Sequence, residues 1–179
     1  MGGGELARYA SSFGSDRIRS LVFAAAVPPY LYNSDDNPEG GLDDATIASF
    51  EDGVQGDREA FLRQFVENFT SAGDRHDLVS DADKASMVEI GMQASEKATL
   101  DCIAAFGRTD FRKDIEAITV PTLVIHGDCD GIVPFEVSGQ RTARDVSSAQ
   151  LHVVQGGPHG INASHAEEFN RVLLEFLAR

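Results

Sequence analysis

The clearest strand signal in the chain is Val120-Pro121-Thr122-Leu123-Val124-Ile125-His126-Gly127-Asp128-Cys129-Asp130. A short apolar run that starts after a proline and ends at a Gly-Asp turn is typical of a strand buried on both faces of a sheet. Two other runs share this character: residues 19–27, which end near a pair of prolines, and residues 151–154. Helical patterns separate the three runs, so the sequence predicts an α/β fold with a parallel sheet.

The pattern divides the chain into three sections. Residues 1–29 predict a helix followed by the first strand. Residues 112–179 carry the other two strands, a closing amphipathic helix and the loops between them. Residues 30–111 begin as a polar loop and continue as several helices. Because these helices stand between two predicted strands, we interpret them as an inserted helical lid, and residues 1–179 as a single partial domain.

The predicted lid contains one regular apolar stripe. Phe61, Phe65 and Phe69 recur every four residues, which places them on one face of a helix. Such a stripe usually packs in a core, although it can also reach a ligand pocket. A further helix is predicted to start near Asp81, which is a candidate N-cap residue.

The chain is strongly acidic, with 29 Asp and Glu residues against 15 Lys and Arg residues and a formal net charge of −14 at pH 7. Such a surface repels phosphate backbones, so we expect no nucleic-acid partner. No apolar run approaches the roughly 20 residues that span a bilayer, so we expect no membrane association. Residues 1–5 lack the features of a signal peptide, which predicts a cytoplasmic location. Cys102 and Cys129 do not form the spacing of a disulfide framework or a zinc site, and we interpret both as free thiols.

Candidate acid and base residues occur in the two loops after the second and third predicted strands. The first loop offers Asp128 and Asp130, and the second offers His159 between glycines and a proline. Active sites of open α/β sheets collect at the carboxyl ends of the strands. Histidine is the usual general base near neutral pH, and a carboxylate on its other nitrogen fixes the tautomer. The order acid loop, strand, histidine loop matches the Ser…Asp…His order of the α/β-hydrolases.

Taken singly, each of these residues has an ordinary structural explanation. Aspartates in a Gly-Asp-x-Asp turn often accept hydrogen bonds from backbone amides, and a histidine in a loop is often only solvated. The combination is more specific than either residue. We assign Asp130 as the acid because it lies deeper in the loop, and Asp128 as a residue that ties down the turn. The other histidines are interpreted as non-catalytic; they are His76, His126, His152 and His165.

Six stretches distributed over the whole chain are similar to the non-haem haloperoxidase and esterase branch of the α/β-hydrolases, the cofactor-free perhydrolases. They follow one another in the order that the family has. The stretches are Gly2-Gly3-Gly4-Glu5-Leu6-Ala7-Arg8-Tyr9, Ala25-Ala26-Val27-Pro28-Pro29, Thr109-Asp110-Phe111-Arg112, Val120 through Glu136, Gly157-Pro158-His159-Gly160 and His165-Ala166-Glu167-Glu168.

The resemblance implies that the chain is the C-terminal part of an α/β-hydrolase fold, with parallel strands, flanking helices and the N-terminal strands missing. The nucleophile elbow of that family reads Gly-x-Ser-Met-Gly-Gly, and Met1-Gly2-Gly3 matches the part after the serine. We therefore expect the nucleophilic serine to precede Met1. The backbone nitrogen of Met1 would then belong to the oxyanion hole.

The resemblance also implies the remaining site residues and the chemistry. Asp130 corresponds to the triad acid, His159 to the base, and Ile132 and Phe135 to residues that border the acyl pocket. The family needs no haem, metal or other cofactor. It implies a Ser-His-Asp acyl-enzyme mechanism on a small ester or carboxylic acid, with perhydrolase and haloperoxidase side activity. The chain without the serine is expected to be inactive.

Two alternatives remain open on the sequence. The chain could be a non-catalytic remnant that serves only as an interaction module. It could also keep the fold with other chemistry, such as C–C bond hydrolysis or dehalogenation, the latter with an Asp nucleophile. The codon before Met1 separates these possibilities. In addition, a sheet of only three strands leaves an exposed edge, through which the chain could self-associate.

Overall fold

The computed structural model describes residues 1–179 and has a three-stranded parallel sheet with helices around it. A single 3-10 turn, η1, follows the second strand. In chain order the elements are α1 (Gly2–Phe13), β1 (Leu21–Ala24), α2 (Asp44–Gly56), α3 (Arg58–Thr70), α4 (Asp81–Met92), α5 (Glu96–Arg108), α6 (Arg112–Glu116), β2 (Thr122–Gly127), η1 (Phe135–Val137), α7 (Gly139–Asp145), β3 (Ala149–Val154), α8 (Ile161–Ser164) and α9 (Ala166–Leu177).

The strand order is β1-β2-β3, and both pairs are parallel. Thr122 of β2 lies opposite Leu21 on one side and opposite Ala149 on the other. All six residues of β2 are buried, as expected for a central strand covered on both faces. The predicted α/β class with a parallel sheet is confirmed.

The first strand is shorter than predicted. The sequence indicated an apolar strand over residues 19–27 buried on both faces, but β1 covers Leu21–Ala24 and only Leu21 and Phe23 within it are buried. The physical reason lies in the backbone: Ala25, directly after the strand, has a φ of 46°, which is outside the extended region. Leu21 and Phe23 pack into the apolar cluster on one face of the sheet, whereas Val22 is only partly buried against the cluster on the other face.

Two apolar clusters cover the two faces of the sheet. Val124 packs with residues of α1, α6 and α7 on one face, whereas Leu123 and Ile125 face α8 and α9 on the other. This alternation follows from the two-residue period of a strand. In the closing helix α9, Val172 and Phe176 are buried against Ile125 and its neighbours. The sheet therefore holds its carboxyl-end loops on a core that is packed from both sides.

The helices α2, α3, α4 and α5 form a layer between β1 and β2 in the sequence. Their first turns are capped by side chains that accept a hydrogen bond from the backbone N–H three residues later. The prediction that Asp81 caps α4 is wrong by one residue: Asp81 is the first helical residue, and the hydroxyl of Ser80 accepts from the N–H of Asp83 at 3.2 Å. The capping residues are Asp43, Asp57, Ser80 and Ser95.

The sheet has two open edges, one at β1 and one at β3. On α1, the exposed side chains of Tyr9 and Phe13 contact each other in a tilted arrangement, with their ring centroids 5.1 Å apart. Self-association through such an edge stays a prediction. None of the helices is both long and apolar enough to cross a bilayer.

Candidate active site

The loop after β2 buries a carboxylate. Asp130 is 5% exposed, and its Oδ1 accepts hydrogen bonds from the backbone N–H groups of Ile132 at 2.9 Å and Val133 at 2.8 Å. An aspartate that bonds the backbone two and three residues later closes a tight turn. That turn fixes Oδ1 against the backbone and leaves Oδ2 free to face a second loop.

The loop after β3 brings a histidine to that carboxylate. Nδ1 of His159 lies 2.7 Å from Oδ2 of Asp130, and the imidazole side chain is 17% exposed. A glycine, Gly156, with φ of 67° starts the turn that leads into this loop. Positive φ favours glycine, so the turn depends on this residue type. The two loops that the sequence singled out therefore meet in direct hydrogen-bond contact.

Three hydrogen bonds join the two loops beside the Asp130–His159 contact. The N–H of Cys129 donates to the carbonyl of Gly157 at 3.0 Å, and the N–H of Asp128 donates to the carbonyl of Val154 at 3.2 Å. The side chain of Asp128 accepts from the N–H of Gly156 at 2.6 Å. Asp128 thus holds the loops together and does not contact His159.

The loops also approach each other too closely for a side chain at one position. A Cβ atom at Gly127 would collide with the carbonyl group of Gly157. Glycine at the end of β2 is therefore required by the spacing between the strand end and the histidine loop. The same spacing sets the distance between the acid and the base.

Asp130 is held in its ionised form. Burial acts to raise its pKa, but hydrogen bonds from His126 and His159, the attraction of His159 and the backbone N–H of Val133 outweigh burial. The net result is a pKa below the usual value of an aspartate. An ionised Asp130 favours a proton on Nδ1 of His159, which leaves Nε2 as the basic nitrogen.

An apolar cavity of about 310 Å³ lies beside His159. It is formed where α2, α3 and α5 face the loop after β2. The ring of Phe69 contacts the imidazole of His159 edge-on, with 4.7 Å between the ring centroids. Besides the imidazole, the lining contains no ionisable side chain other than a thiol; the lining residues are Met1, Phe50, Phe61, Leu62, Phe65, Phe69, Thr99, Cys102, Ile103, Phe106, Ile132 and His159.

A second, wider cavity lies on the other side of Met1 and His159. It has a volume of about 600 Å³ and is formed by the first turns of α1 and the end of β1, including Tyr9 and Ala26. Met1 and His159 line both cavities. The imidazole therefore lies where the two cavities meet.

The structure brings most of the predicted site residues together, with one exception. Met1, Ile132 and His159 line the same cavity, and Asp130 lies behind His159. Phe135 does not line this cavity. It begins the 3-10 turn η1, and its ring packs 5.8 Å from the ring of His126 instead. No local sequence pattern indicated this contact between Phe135 and His126.

Sequence reasoning missed part of the cavity lining. The helical pattern of α5 did place Cys102 and Phe106 on one face, but it did not show what that face contacts. Phe50 of α2 carried no signal, since its place in the cavity depends on how α2 packs against α3. No group of three histidine, cysteine or acidic side chains is arranged to hold a metal ion.

Comparison with known proteins assigns the family. Residues 1–166 match the family model described as alpha/beta hydrolase fold. The chain belongs to this family. Within it, the predicted resemblance to the non-haem haloperoxidase branch is confirmed by relatives that align over nearly the whole chain.

Three of these relatives define the branch. A crystal structure of a bromoperoxidase from Bacillus anthracis superposes with a TM-score of 0.98 and 56% identity, covering 100% of this chain and 65% of that one. A non-haem chloroperoxidase of Kitasatospora aureofaciens is 39% identical over 99% of this chain and 65% of its own length. A bifunctional esterase/perhydrolase of Acinetobacter calcoaceticus is 34% identical over 98% of this chain and 64% of its own length.

The chain thus spans about 65% of the length of these relatives. It belongs to a hydrolase family whose members include cofactor-free haloperoxidases and esterases. The parallel sheet and its helices agree with the C-terminal part of the α/β-hydrolase fold, as the sequence predicted.

Proposed function

We propose that Asp130 and His159 are the acid and base of a serine hydrolase site that acts on small, uncharged carboxylic esters. The observation that carries the proposal is the 2.7 Å contact between Nδ1 of His159 and Oδ2 of Asp130. It leaves Nε2 of the imidazole at the meeting point of two cavities, where a nucleophile and an ester carbonyl could reach it.

The proposed reaction passes through an acyl-enzyme. A serine hydroxyl attacks the ester carbonyl while His159 takes its proton, and Asp130 stabilises the imidazolium that forms. The proton then passes to the leaving alcohol, and the serine keeps the acyl group. Water then attacks the acyl-enzyme while His159 accepts its proton. His159 returns the proton to the serine oxygen, and the carboxylic acid is released. In the family's sequence pattern the serine precedes Met1, whose backbone nitrogen would help bind the oxyanion.

Hydrogen peroxide could take the place of water in the second half of the reaction. Its oxygen would attack the acyl-enzyme, His159 would accept the proton, and a peracid would leave with the serine hydroxyl restored. The proposal includes this perhydrolase side activity because one curated relative carries both names, esterase and perhydrolase. A peracid oxidises halide without any metal, which would account for haloperoxidase activity.

The cavity supports an uncharged substrate. Its walls are mostly phenylalanine and aliphatic side chains, and neither Lys nor Arg lines it. The net charge of the chain is −14, so an anionic substrate would meet no compensating cation in the cavity and an unfavourable field around it. A small neutral ester with an apolar acyl or alcohol group fits these walls.

Hydrolysis of p-nitrophenyl acetate tests the proposal. We would express two proteins: the 179-residue chain, and the same chain with any in-frame coding sequence that precedes Met1. The expected result is turnover by the longer protein, and a loss of about 10⁴-fold or more in its His159→Ala variant. The 179-residue chain is expected to show no turnover that depends on His159.

Other results would point to the alternatives. Turnover by the 179-residue chain that His159→Ala abolishes would contradict a nucleophile outside these residues. A longer protein with a serine before Met1 and no ester turnover would favour a non-catalytic module. An aspartate at that position would favour dehalogenation, and haloalkane turnover would then be the assay.

A further inference from the structure

A second histidine lies behind the acid–base pair. His126 is in β2, is fully buried, and lines neither of the two cavities beside His159. The reaction proposed above does not use it. A buried imidazole must find hydrogen-bond partners or lose the free energy of its hydration, so its presence in the central strand calls for a reason.

The partners of His126 lie on one side of its ring only. Nε2 is 2.8 Å from the carbonyl oxygen of Val133 and 3.1 Å from Oδ2 of Asp130. Nδ1 is buried with no hydrogen-bond partner. Because both neighbours of Nε2 are acceptors, the ring proton is assigned to Nε2, where it points at the carbonyl and the carboxylate.

The backbone around the ring leaves His126 little freedom. A Cβ atom at Gly139 would lie 2.5 Å from Nδ1 and 2.9 Å from Cγ of His126, so glycine is needed for the ring to occupy its place. The ring of Phe135 packs on it with centroids 5.8 Å apart. The imidazole therefore occupies the space that a side chain at position 139 would need, and its Nε2 lies beside Asp130.

With His126, four donors surround the Asp130 carboxylate. Oδ1 faces the N–H groups of Ile132 and Val133, and Oδ2 faces Nδ1 of His159 and Nε2 of His126. The N–H of Nε2 donates to the carbonyl of Val133 at 2.8 Å and has Oδ2 of Asp130 as a second, longer neighbour at 3.1 Å. Because all four nitrogens lie close to the carboxylate oxygens, the group cannot rotate without losing contacts. The titratable groups that face Asp130 are His126 from β2 and His159 from the loop after β3.

We propose that His126 is a positioning residue, which holds the Asp130 carboxylate toward His159 and thereby keeps the proton of neutral His159 on Nδ1. The inference rests on the proposed function, because the position of Asp130 matters for catalysis only if His159 acts as a base. The contacts among His126, Asp130 and His159 do not depend on ester turnover. The unpartnered Nδ1 of His126 supports it, since a phenylalanine would fill the same strand position without a buried orphan nitrogen.

The test is the tautomer of His159, read from the ring nitrogen shifts of the ¹⁵N-histidine-labelled 179-residue chain at mildly alkaline pH. In the wild type, His159 is expected as the Nδ1–H tautomer and His126 as the Nε2–H tautomer. In His126→Phe, the nitrogen shifts of His159 should move toward the Nε2–H pattern, because Asp130 is released. His126→Gln, whose amide can still donate, should retain the wild-type pattern.

A second variant keeps the test independent of one substitution. Gly139→Ala retains the imidazole but displaces it, and should shift the His159 tautomer as His126→Phe does. Ile125→Val, in the same buried strand, is the control that loosens packing without changing the tautomer. An unchanged His159 tautomer in folded His126→Phe or folded Gly139→Ala would overturn the proposal.

The wild type alone can also decide against the proposal. A proton on Nδ1 of His126 instead of Nε2 would remove the contact with Asp130, even if no variant folded. Ester turnover is not needed for any of these measurements. If the tautomer responds as expected but a longer protein with a serine before Met1 shows no ester turnover, the positioning role stands and the proposed function is rejected.

Discussion

The sheet and the helical layer of this molecule are packed differently. All six residues of β2 are buried. The four helices of the layer together bury only Ile47, Val54, Val66, Thr70, Val88 and Gly107. A close-packed sheet holds its loops rigidly, whereas the thinner layer leaves an apolar cavity beside them. The difference predicts that substitutions around the sheet change chemistry and stability, and that substitutions in the layer change binding.

The largest effect is expected at the acid. If the coding sequence before Met1 supplies a serine, Asp130→Asn in that longer protein should reduce kcat for p-nitrophenyl acetate by about 10⁴-fold, because an amide does not hold the correct histidine tautomer. Asp74→Asn, at an exposed aspartate in the turn between α3 and α4, is the matched control and should leave kcat unchanged. A loss of less than tenfold in Asp130→Asn would contradict the role of this carboxylate.

The next effect concerns stability. Ile125→Ala in β2 should lower the free energy of unfolding by about 3 kcal/mol, because the residue is fully buried and its neighbours cannot collapse into the cavity. Ile103→Ala in α5, at a half-buried position, should cost about 1 kcal/mol. Urea unfolding of both variants measures the two values. Equal losses would show that sheet and layer are packed alike.

A substitution in the helical layer should weaken substrate binding without slowing the chemical step. Phe65→Ala should raise KM for a neutral aryl ester by about tenfold while kcat changes little, because apolar contact is lost equally in the ground and transition states. Phe13→Ala removes the same side chain from an exposed site that is 76% accessible, outside the cavity, and should change neither parameter. A fall in kcat with constant KM would place Phe65 in the reaction itself.

The smallest effect is expected in the pH dependence of stability. It comes from a cluster of ion pairs that Glu67 of α3 forms with His76 and Lys84. Hydrogen bonds from Lys84 lower the pKa of Glu67 to about 2 against the opposing effect of burial, with help from His76 and Ser71. Since the pKa is lower in the folded state, the stabilisation is complete above the unfolded value of about 4.5 and is lost as the pH falls toward about 2.

Glu67→Gln removes that contribution. It should cost about 1 kcal/mol at neutral pH, because Glu67 is partly exposed and screened by solvent. The difference from the wild type should vanish as the pH falls toward 2. Glu59→Gln, which breaks an exposed pair with Arg63, is the control and should change stability less. Thermal unfolding between neutral and acidic pH measures both, and a difference that grows with acidity would reverse the assigned sign.

The features that local sequence could predict are those fixed by local physics. The apolar run of β2 and the turn that ends at Asp130 follow from side-chain period and turn chemistry. The positions of the two loops after successive strands suggested the pairing of Asp130 with His159, and the family resemblance gave the same assignment. The length of β1 was overestimated because its run of apolar residues does not reveal that the backbone leaves the extended conformation at Ala25.

The features that could not be predicted depend on tertiary contacts. Phe135 was expected at the acyl pocket, but its ring packs against His126. His126 was interpreted as a non-catalytic strand residue. Its proximity to Asp130 could not be predicted, because the turn after β2 brings the carboxylate back beside the strand. The cavity forms only when three helices pack together, so the phenylalanine stripe of α3 indicated three of its twelve lining residues and gave no volume.

The hydrogen bonds that join the two site loops have a consequence for amide exchange. The N–H of Asp128 donates to Val154, the last residue of β3, and the N–H of Cys129 donates to Gly157 in the loop that follows, so hydrogen bonds between the two segments continue beyond the end of β2. Loops usually exchange their amide protons through small local openings. These two amides should instead exchange with deuterium as slowly as those of β2. The carboxylate and the imidazole would then separate only in the same cooperative event that opens the sheet.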